Sequence, residues 1–444
     1  GMSAIAEIFL SSGNRVYGSD MKESEITEKL RNRGALVFIG HEQNQAAGTD
    51  LVVYSSAVGQ DNPELMAAKE YGIPVATRAE VLGALMTEYR DSIAIAGTHG
   101  KTTTTSMVSL ILENSQLDPT ILIGGNLPAF SGNVKVGKGP HFVTEACEYM
   151  DSFLALKPRH EIILNIDSDH LDYFKNLDHI VSSFEHFGKL VPDDGTIIAY
   201  HANPFVNSIL RNLTCRVLTF GFNDQCDYHA AQIEFNHLGM PSFDLCLAGK
   251  CLGRLQLSIP GEHNIANALA AAACCHHLGV PVEQIFATLT VFTGTRRRFD
   301  VIGTTANNVR IVDDYAHHPT EIKATLAAAG NIPHGNLWCL FQPHTYTRTM
   351  ALFNEFAGAF DQADKVILTE IYAAREKNIH KISSRELVNE IKRANPNKEV
   401  YFIERFEEIA DFVHNNASPG DLVITMGAGD IYKVAEIILD RDKA

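Results

Sequence analysis

Ile93-Ala94-Ile95-Ala96-Gly97-Thr98-His99-Gly100-Lys101-Thr102-Thr103 is the stretch on which the fold turns. Its first four residues are apolar and stop at a glycine, which reads as a short buried strand. Thr104 to Glu113 reads as the helix behind it. A strand, a glycine loop and a helix in that order make an anion cradle. Glycine lets the backbone approach closely, and free N–H groups at the positive end of the helix face the anion. Lys101 can reach the outer phosphate oxygens, and the Thr102 hydroxyl can ligate Mg2+. Ile95 stands where the common G-x-x-x-x-G-K-[ST] pattern has its first glycine. A Gly-Lys-Thr triplet alone is weak, because such triplets occur by chance in turns. The strand–loop–helix context lifts it above that.

Outward from the loop, strands and helices alternate in both directions. Before it, candidate strands fall at 15–20, 35–39 and 51–56. After it come 141–144 and 162–165, short strands between 195 and 260, and an Ala-rich helix from Gly261 to Leu278. Thr293 to Arg298 is small and charged between apolar blocks and reads as a linker. Apolar strands then recur at 309–312, 337–341, 366–369, 400–403 and 422–425. Such alternation implies parallel sheets covered by helices, with ligands beyond the carboxyl ends of the strands. The expectation is an α/β chain of three domains, 1–90, 91–294 and 295–444.

Composition narrows the class. With 444 residues, 45% hydrophobic and 20% charged, the chain reads as globular. A net charge of -16 argues against nucleic acid or an anionic membrane as partner. The eight cysteines show no C-x-x-C pair or metal spacing, and no run suits a bilayer, so a cytoplasmic protein is expected.

Several strand ends carry reactive side chains. Asp20, Ser55 and Ser56 end the early strands. Glu145 and His170 end later ones, and Glu145 is a credible Mg2+ ligand. For His170, metal ligation and a capping neighbourhood started by Asp169 carry similar weight. Asn264 and Asn267, three apart on a helix, could read an adenine edge; capping by Asn264 is the plainer alternative. Asp314, Tyr315 and His317 follow the strand ending at Val312, and His344, Tyr346 and Arg348 follow the one ending at Phe341.

These motifs resemble the Mur ligase family over essentially the whole chain. They include Gly97 to Thr105, Glu145 to Tyr149, Asn165 to Asp172, Gly261 to Asn267, Arg297 to Phe299, Asp313 to Glu321 and Phe341 to Arg348. The last two stretches are most specific for the L-alanine-adding branch. That family uses the shorter GxxGKT loop, which accounts for Ile95. The resemblance implies a Rossmann-like UDP-sugar domain at 1–90, a central P-loop ATPase-type domain with a mixed or parallel sheet, and a Rossmann-like amino-acid domain. Its members carry a strand and a glycine-rich turn before the Gly1-Met2-Ser3 position, so the first strand is expected to be missing here.

The resemblance further implies ATP and Mg2+ as cofactors, and UDP-N-acetylmuramate and L-alanine as substrates. The γ-phosphoryl would pass to the carboxylate, and the amine would displace phosphate from the acyl phosphate. By the same resemblance Gly97, Thr98, His99, Gly100, Lys101, Thr102, Thr103, Asn264, Asn267, Arg298 and Asp314 bind nucleotide. Thr102, Glu145 and His170 hold metal. Asp20, Ser55, Ser56, Tyr315, His317, His344, Tyr346 and Arg348 bind substrate. Glu185, fifteen residues past His170, takes the place of a carbamylated lysine found in other members. Lys101, Glu145, His170, Glu185, His317 and Arg348 form the catalytic set, in a monomer or homodimer. Two rivals are a ligase attaching a recycled tripeptide to the same nucleotide and a silent nucleotide-binding homologue.

Overall fold

The computed structural model describes residues 1–55, 57–130, 132–379 and 381–441. Numbered along the chain, the first strands are β1 (Tyr17–Asp20), β2 (Leu36–Ile39), β3 (Val52–Tyr54) and β4 (Val75–Thr77). The expected alternation holds, but these strands pair as two separate parallel sheets, β1-β2 and β3-β4. Ser56 lies outside the described residues.

The central sheet holds β5 (Asp91–Ala96), β6 (Thr120–Leu127), β7 (Gly132–Lys135), β8 (His141–Glu145) and β9 (His160–Ile163). It continues with β10 (Thr196–Tyr200), β11 (Arg216–Gly221), β12 (Tyr228–Phe235), β13 (Pro241–Leu247) and β14 (Lys250–Gln256). Their order is β14-β13-β12-β11-β10-β9-β5-β8-β6-β7. All six residues of β5 are buried, as an apolar strand inside a helix-covered sheet should be. Its alternate side chains serve opposite cores. Ile93 and Ile95 pack with the helices Lys101–Asn114 and Glu262–His277. Ala94 and Ala96 pack with Arg78–Met86 and Leu177–Gly188. Because β8 and β9 flank β5 in parallel, their carboxyl ends meet at one edge. That edge positions the phosphate loop.

The remaining sheet holds β15 (Asp300–Thr304), β16 (Arg310–Asp314), β17 (Leu337–Phe341), β18 (Lys365–Leu368), β19 (Glu399–Phe402) and β20 (Leu422–Met426). Its order is β15-β16-β20-β17-β18-β19, and only β15 runs antiparallel to its neighbour. Five of these strands fall within two residues of their expected places; β15, half-exposed along its length, had no clear signal. Trp338, fully buried, donates its Nε1–H to Asp421 at 2.9 Å and ties β17 to the turn before β20. Among the described residues no helix is long and apolar enough to cross a membrane.

Candidate active site

The loop after β5 is shaped by two glycines that no other residue could replace without strain. Gly97 has φ 141° and Gly100 φ 87°. A Cβ on Gly97 would lie 2.9 Å from Leu164 Cβ, and one on Gly100 would lie 2.6 Å from Asn267 Oδ1. Gly100 caps the helix Lys101–Asn114 without any side-chain cap, which leaves the first-turn N–H groups for a ligand. The loop is laced to the segment after β9. Asn165 accepts from His99 N (2.8 Å) and donates to His99 O (3.0 Å), and Asp167 N donates to Thr98 Oγ1 (2.9 Å).

Lys101 is turned back onto this edge. Its ammonium donates to Glu148 Oε2 at 2.9 Å and Oε1 at 3.2 Å, and to the carbonyls of Gly97 and Thr98. Burial alone would lower its pKa, but the charge and hydrogen bond of Glu148, with Cys147 and Glu145 beside it, together raise it. Glu148 is itself buried, and His170 Nε2 lies 4.0 Å from it. The His170 ring rests 4.7 Å from that of Tyr149. Glu145 accepts from Gly124 N at 2.6 Å, so close that a Cβ on Gly124 would collide with its carboxylate. A Cβ on the next residue, Gly125, would lie 3.0 Å from Thr102 Cγ2. Thr102 and Glu145 thus abut the same two-glycine backbone. A hydroxyl and a carboxylate are the hard oxygen donors magnesium takes, so these residues fit such an ion.

The segment after β16 and β17 closes over this edge. Arg348 forks onto Asp169, Nε to Oδ1 at 2.9 Å and NH2 to Oδ2 at 3.3 Å. Burial opposes charge on Asp169, yet Arg348 holds its carboxyl well below the usual range. Arg348 also donates to His344 Nδ1 at 3.1 Å, and the His344 ring stacks on Tyr372. His317 Nδ1 is 3.0 Å from the Tyr315 carbonyl, which can only accept, so that nitrogen carries the proton. Burial drives the His317 pKa down to about 3, leaving the ring neutral with a lone pair on Nε2. His99 bridges both sides, 3.2 Å from Asp167 and 3.2 Å from Glu321. Burial would lower its pKa, but the hydrogen bonds of those carboxylates raise it to about 9. His318 donates to Ser168 O at 2.9 Å, and Thr320 to Asp167 at 2.8 Å.

Other expected residues are placed differently. Glu185 is not at this edge: it pairs with Lys189 in the last turn of the helix Leu177–Gly188. That helix leaves the carboxyl end of β9 and returns the chain to the start of β10, so its last turn lies at the opposite edge. Its neighbour Phe184 is fully buried against Phe153. Asn264 and Asn267 are buried, and their amides are engaged internally. Asn267 donates to Asn264 (3.1 Å), accepts from Thr104 (3.2 Å) and underlies Gly100, which makes them props of the loop rather than free readers of a base. Asp314 likewise accepts from Phe299 N and Ala316 N, both at 2.7 Å, and burial pushes its pKa up to about 6. It fastens the linker, where Arg298 lies over the Tyr315 ring. Tyr346 opens the helix Tyr346–Ala351 that carries Arg348. Asp20 ends β1 and Ser55 follows β3; their side chains accept from the nearby Lys22 N and Ala57 N. Next to Asp20, Ser19 meets His41 and Glu64 in a polar cluster that the sequence pattern did not reveal.

Family models described as the Mur ligase catalytic, middle and glutamate ligase domains match residues 1–90, 95–275 and 297–429. The UDP-N-acetylmuramate–L-alanine ligase of Alkaliphilus metalliredigens is 51% identical over 438 residues, covering 99% of this chain and 94% of its own. That of Acetivibrio thermocellus is 49% identical over 443 residues, covering 100% and 94%. Among solved structures, UDP-N-acetylmuramate–alanine ligase from Thermotoga maritima superposes with a TM-score of 0.82 at 29% identity, covering 100% of this chain and 96% of that one. A murein peptide ligase from Psychrobacter arcticus gives 0.72 at 26%, covering 99% and 96%.

Proposed function

The chain belongs to the Mur ligase family, and on that footing we propose that it joins L-alanine to the carboxylate of UDP-N-acetylmuramate, driven by ATP, in peptidoglycan precursor synthesis. A carboxylate is a poor electrophile. Phosphorylation by ATP gives an acyl phosphate with a good leaving group, and the alanine amine displaces phosphate to form the amide.

The observation that carries this reading is one edge where a phosphate loop faces a neutral histidine and a buried arginine from another sheet. The free N–H groups of the first helical turn, Lys101 to Thr103, cradle the phosphates, and Lys101 exchanges Glu148 for the transferring group. His317, neutral and with its Nε2 lone pair free of the proton that Nδ1 carries, accepts a hydrogen bond from the alanine amine and orients it toward the acyl phosphate. Arg348 retains N–H groups beyond its fork on Asp169 with which to meet the alanine carboxylate. Thr102, Glu145 and His170 would hold a magnesium ion, which would supply positive charge beside the phosphates. Residues 1–90 hold the UDP-sugar, 91–294 the ATP and 295–444 the amino acid, in a cytoplasmic monomer or homodimer.

Purified protein should form ADP only when both UDP-N-acetylmuramate and L-alanine are present. No ADP with L-alanine, but turnover with a tripeptide acceptor, would transfer the chain to the recycling type of ligase. No turnover with either would overturn the enzyme reading.

A further inference from the structure

At the far edge of the central sheet, β13 and β14 are joined by Ala248-Gly249, with φ 46° and 80°. Positive φ at both positions marks a tight two-residue hairpin turn. Leu247 pairs with Lys250 next to the turn, and the following pair is Cys246 with Cys251. In such a hairpin the pair beside the turn exchanges hydrogen bonds, so the next is the closely spaced kind, with Cα atoms about 4.5 Å apart. A disulfide spans Cα separations of roughly 4.4–6.8 Å, and directly opposed residues point to the same face. The two thiols are near enough to share a hydrogen bond. Cys251 is exposed, whereas Cys246 is buried.

We propose that Cys246 and Cys251 are a reversible thiol pair that closes to a cross-strand disulfide when it meets a small disulfide oxidant. The thiolate of Cys251, the accessible member, attacks one sulfur of the oxidant and expels a thiolate. The Cys246 thiolate then attacks the Cys251 sulfur and expels the second small thiol. The chain loses two protons and two electrons, and the oxidant gains them as two thiols. Burial raises the Cys246 pKa, consistent with its acting second, on a sulfur already beside it. An exposed bridge of this kind is readily reduced, so in a reducing compartment the pair rests as thiols. Six strand spacings separate β14 from β5, roughly 29 Å at ~4.8 Å each. Closure therefore leaves the phosphate loop undisturbed.

The test uses the full chain and glutathione disulfide. Trypsin cuts after Lys250, placing Cys246 in the fragment 217–250 and Cys251 in 251–254. Oxidised protein digested without reductant should yield these fragments linked, two hydrogens lighter than their sum, and separable by excess thiol. The link should persist in Cys226→Ser, which removes the other cysteine of the larger fragment. In Cys246→Ser the small fragment should instead carry one glutathione. Wild-type chain whose fragment 251–254 stays free, or stays capped by glutathione without linking, would overturn the proposal. So would a link lost in Cys226→Ser.

Discussion

Replacing Asp169 by Asn tests how the sheet carrying β16 and β17 is held over the phosphate loop. Both partners of the Asp169–Arg348 pair are nearly buried, each side chain only 9% exposed. Removing one charge from a buried pair strands the other, at a cost of about 3–5 kcal/mol. Arg348 would keep His344 Nδ1 as an acceptor, so the low end, about 3 kcal/mol, applies. The two groups stand after strands of different sheets, and neither belongs to an apolar core. The cost should therefore fall on the contact between the sheets. At about 1.4 kcal/mol per factor of ten, the open arrangement gains about a hundredfold. Hydrogen exchange reads this directly: amides at 168–173 and 344–350 should lose protection together, while β17 and β20 keep theirs. The KM for L-alanine should rise in the same variant. Exchange at both segments within about threefold of wild type, under ~0.7 kcal/mol, would refute the reasoning.

Glu148→Gln removes the charge that holds Lys101. With less competition the KM for ATP should fall several-fold, while kcat should fall by roughly ten as the lysine loses its placement, a barrier ~1.4 kcal/mol higher from the bound complex. A fall in kcat with unchanged KM would show that Glu148 does not compete with phosphate. His99 has its pKa raised to about 9, so its contribution is full below about pH 6.5 and is lost as pH rises through about 9. Melting curves should show wild type weakening over that alkaline range and His99→Gln showing a flatter profile; parallel profiles would contradict it.

The phosphate loop was legible because all it needs is local: an apolar run, two glycines and a lysine within nine residues. The strand-end rule also found Glu145, His170, His317, His344 and Arg348, since a parallel sheet delivers every strand end to one edge. What it lacked was sheet order. Glu148 and Asn165 matter because β8 and β9 flank β5, and Gly124–Gly125 because β6 lies beyond β8. No local pattern carries that order. The Arg348–Asp169 fork spans 179 positions and escapes any window. Glu185 failed for the opposite reason: a spacing was trusted where helix direction decides, and twelve residues of helix carry the chain from one sheet edge to the other. β6 was missed because its Gly-Gly-Asn segment interrupts the apolar pattern.

Two cations of the cleft, among others, already hold carboxylates: Lys101 holds Glu148, and Arg348 holds Asp169. Arrival of an anionic ligand at Lys101 is then a partner exchange rather than the quenching of a bare charge, because one ion pair opens as another forms. Added salt weakens the outgoing pair and the incoming pair alike. Binding should therefore vary less with ionic strength than the ligand's charge suggests. The same exchange denies stray phosphate an unpaired lysine, so the cleft discriminates by demanding that a ligand outbid the Glu148 carboxylate already in place.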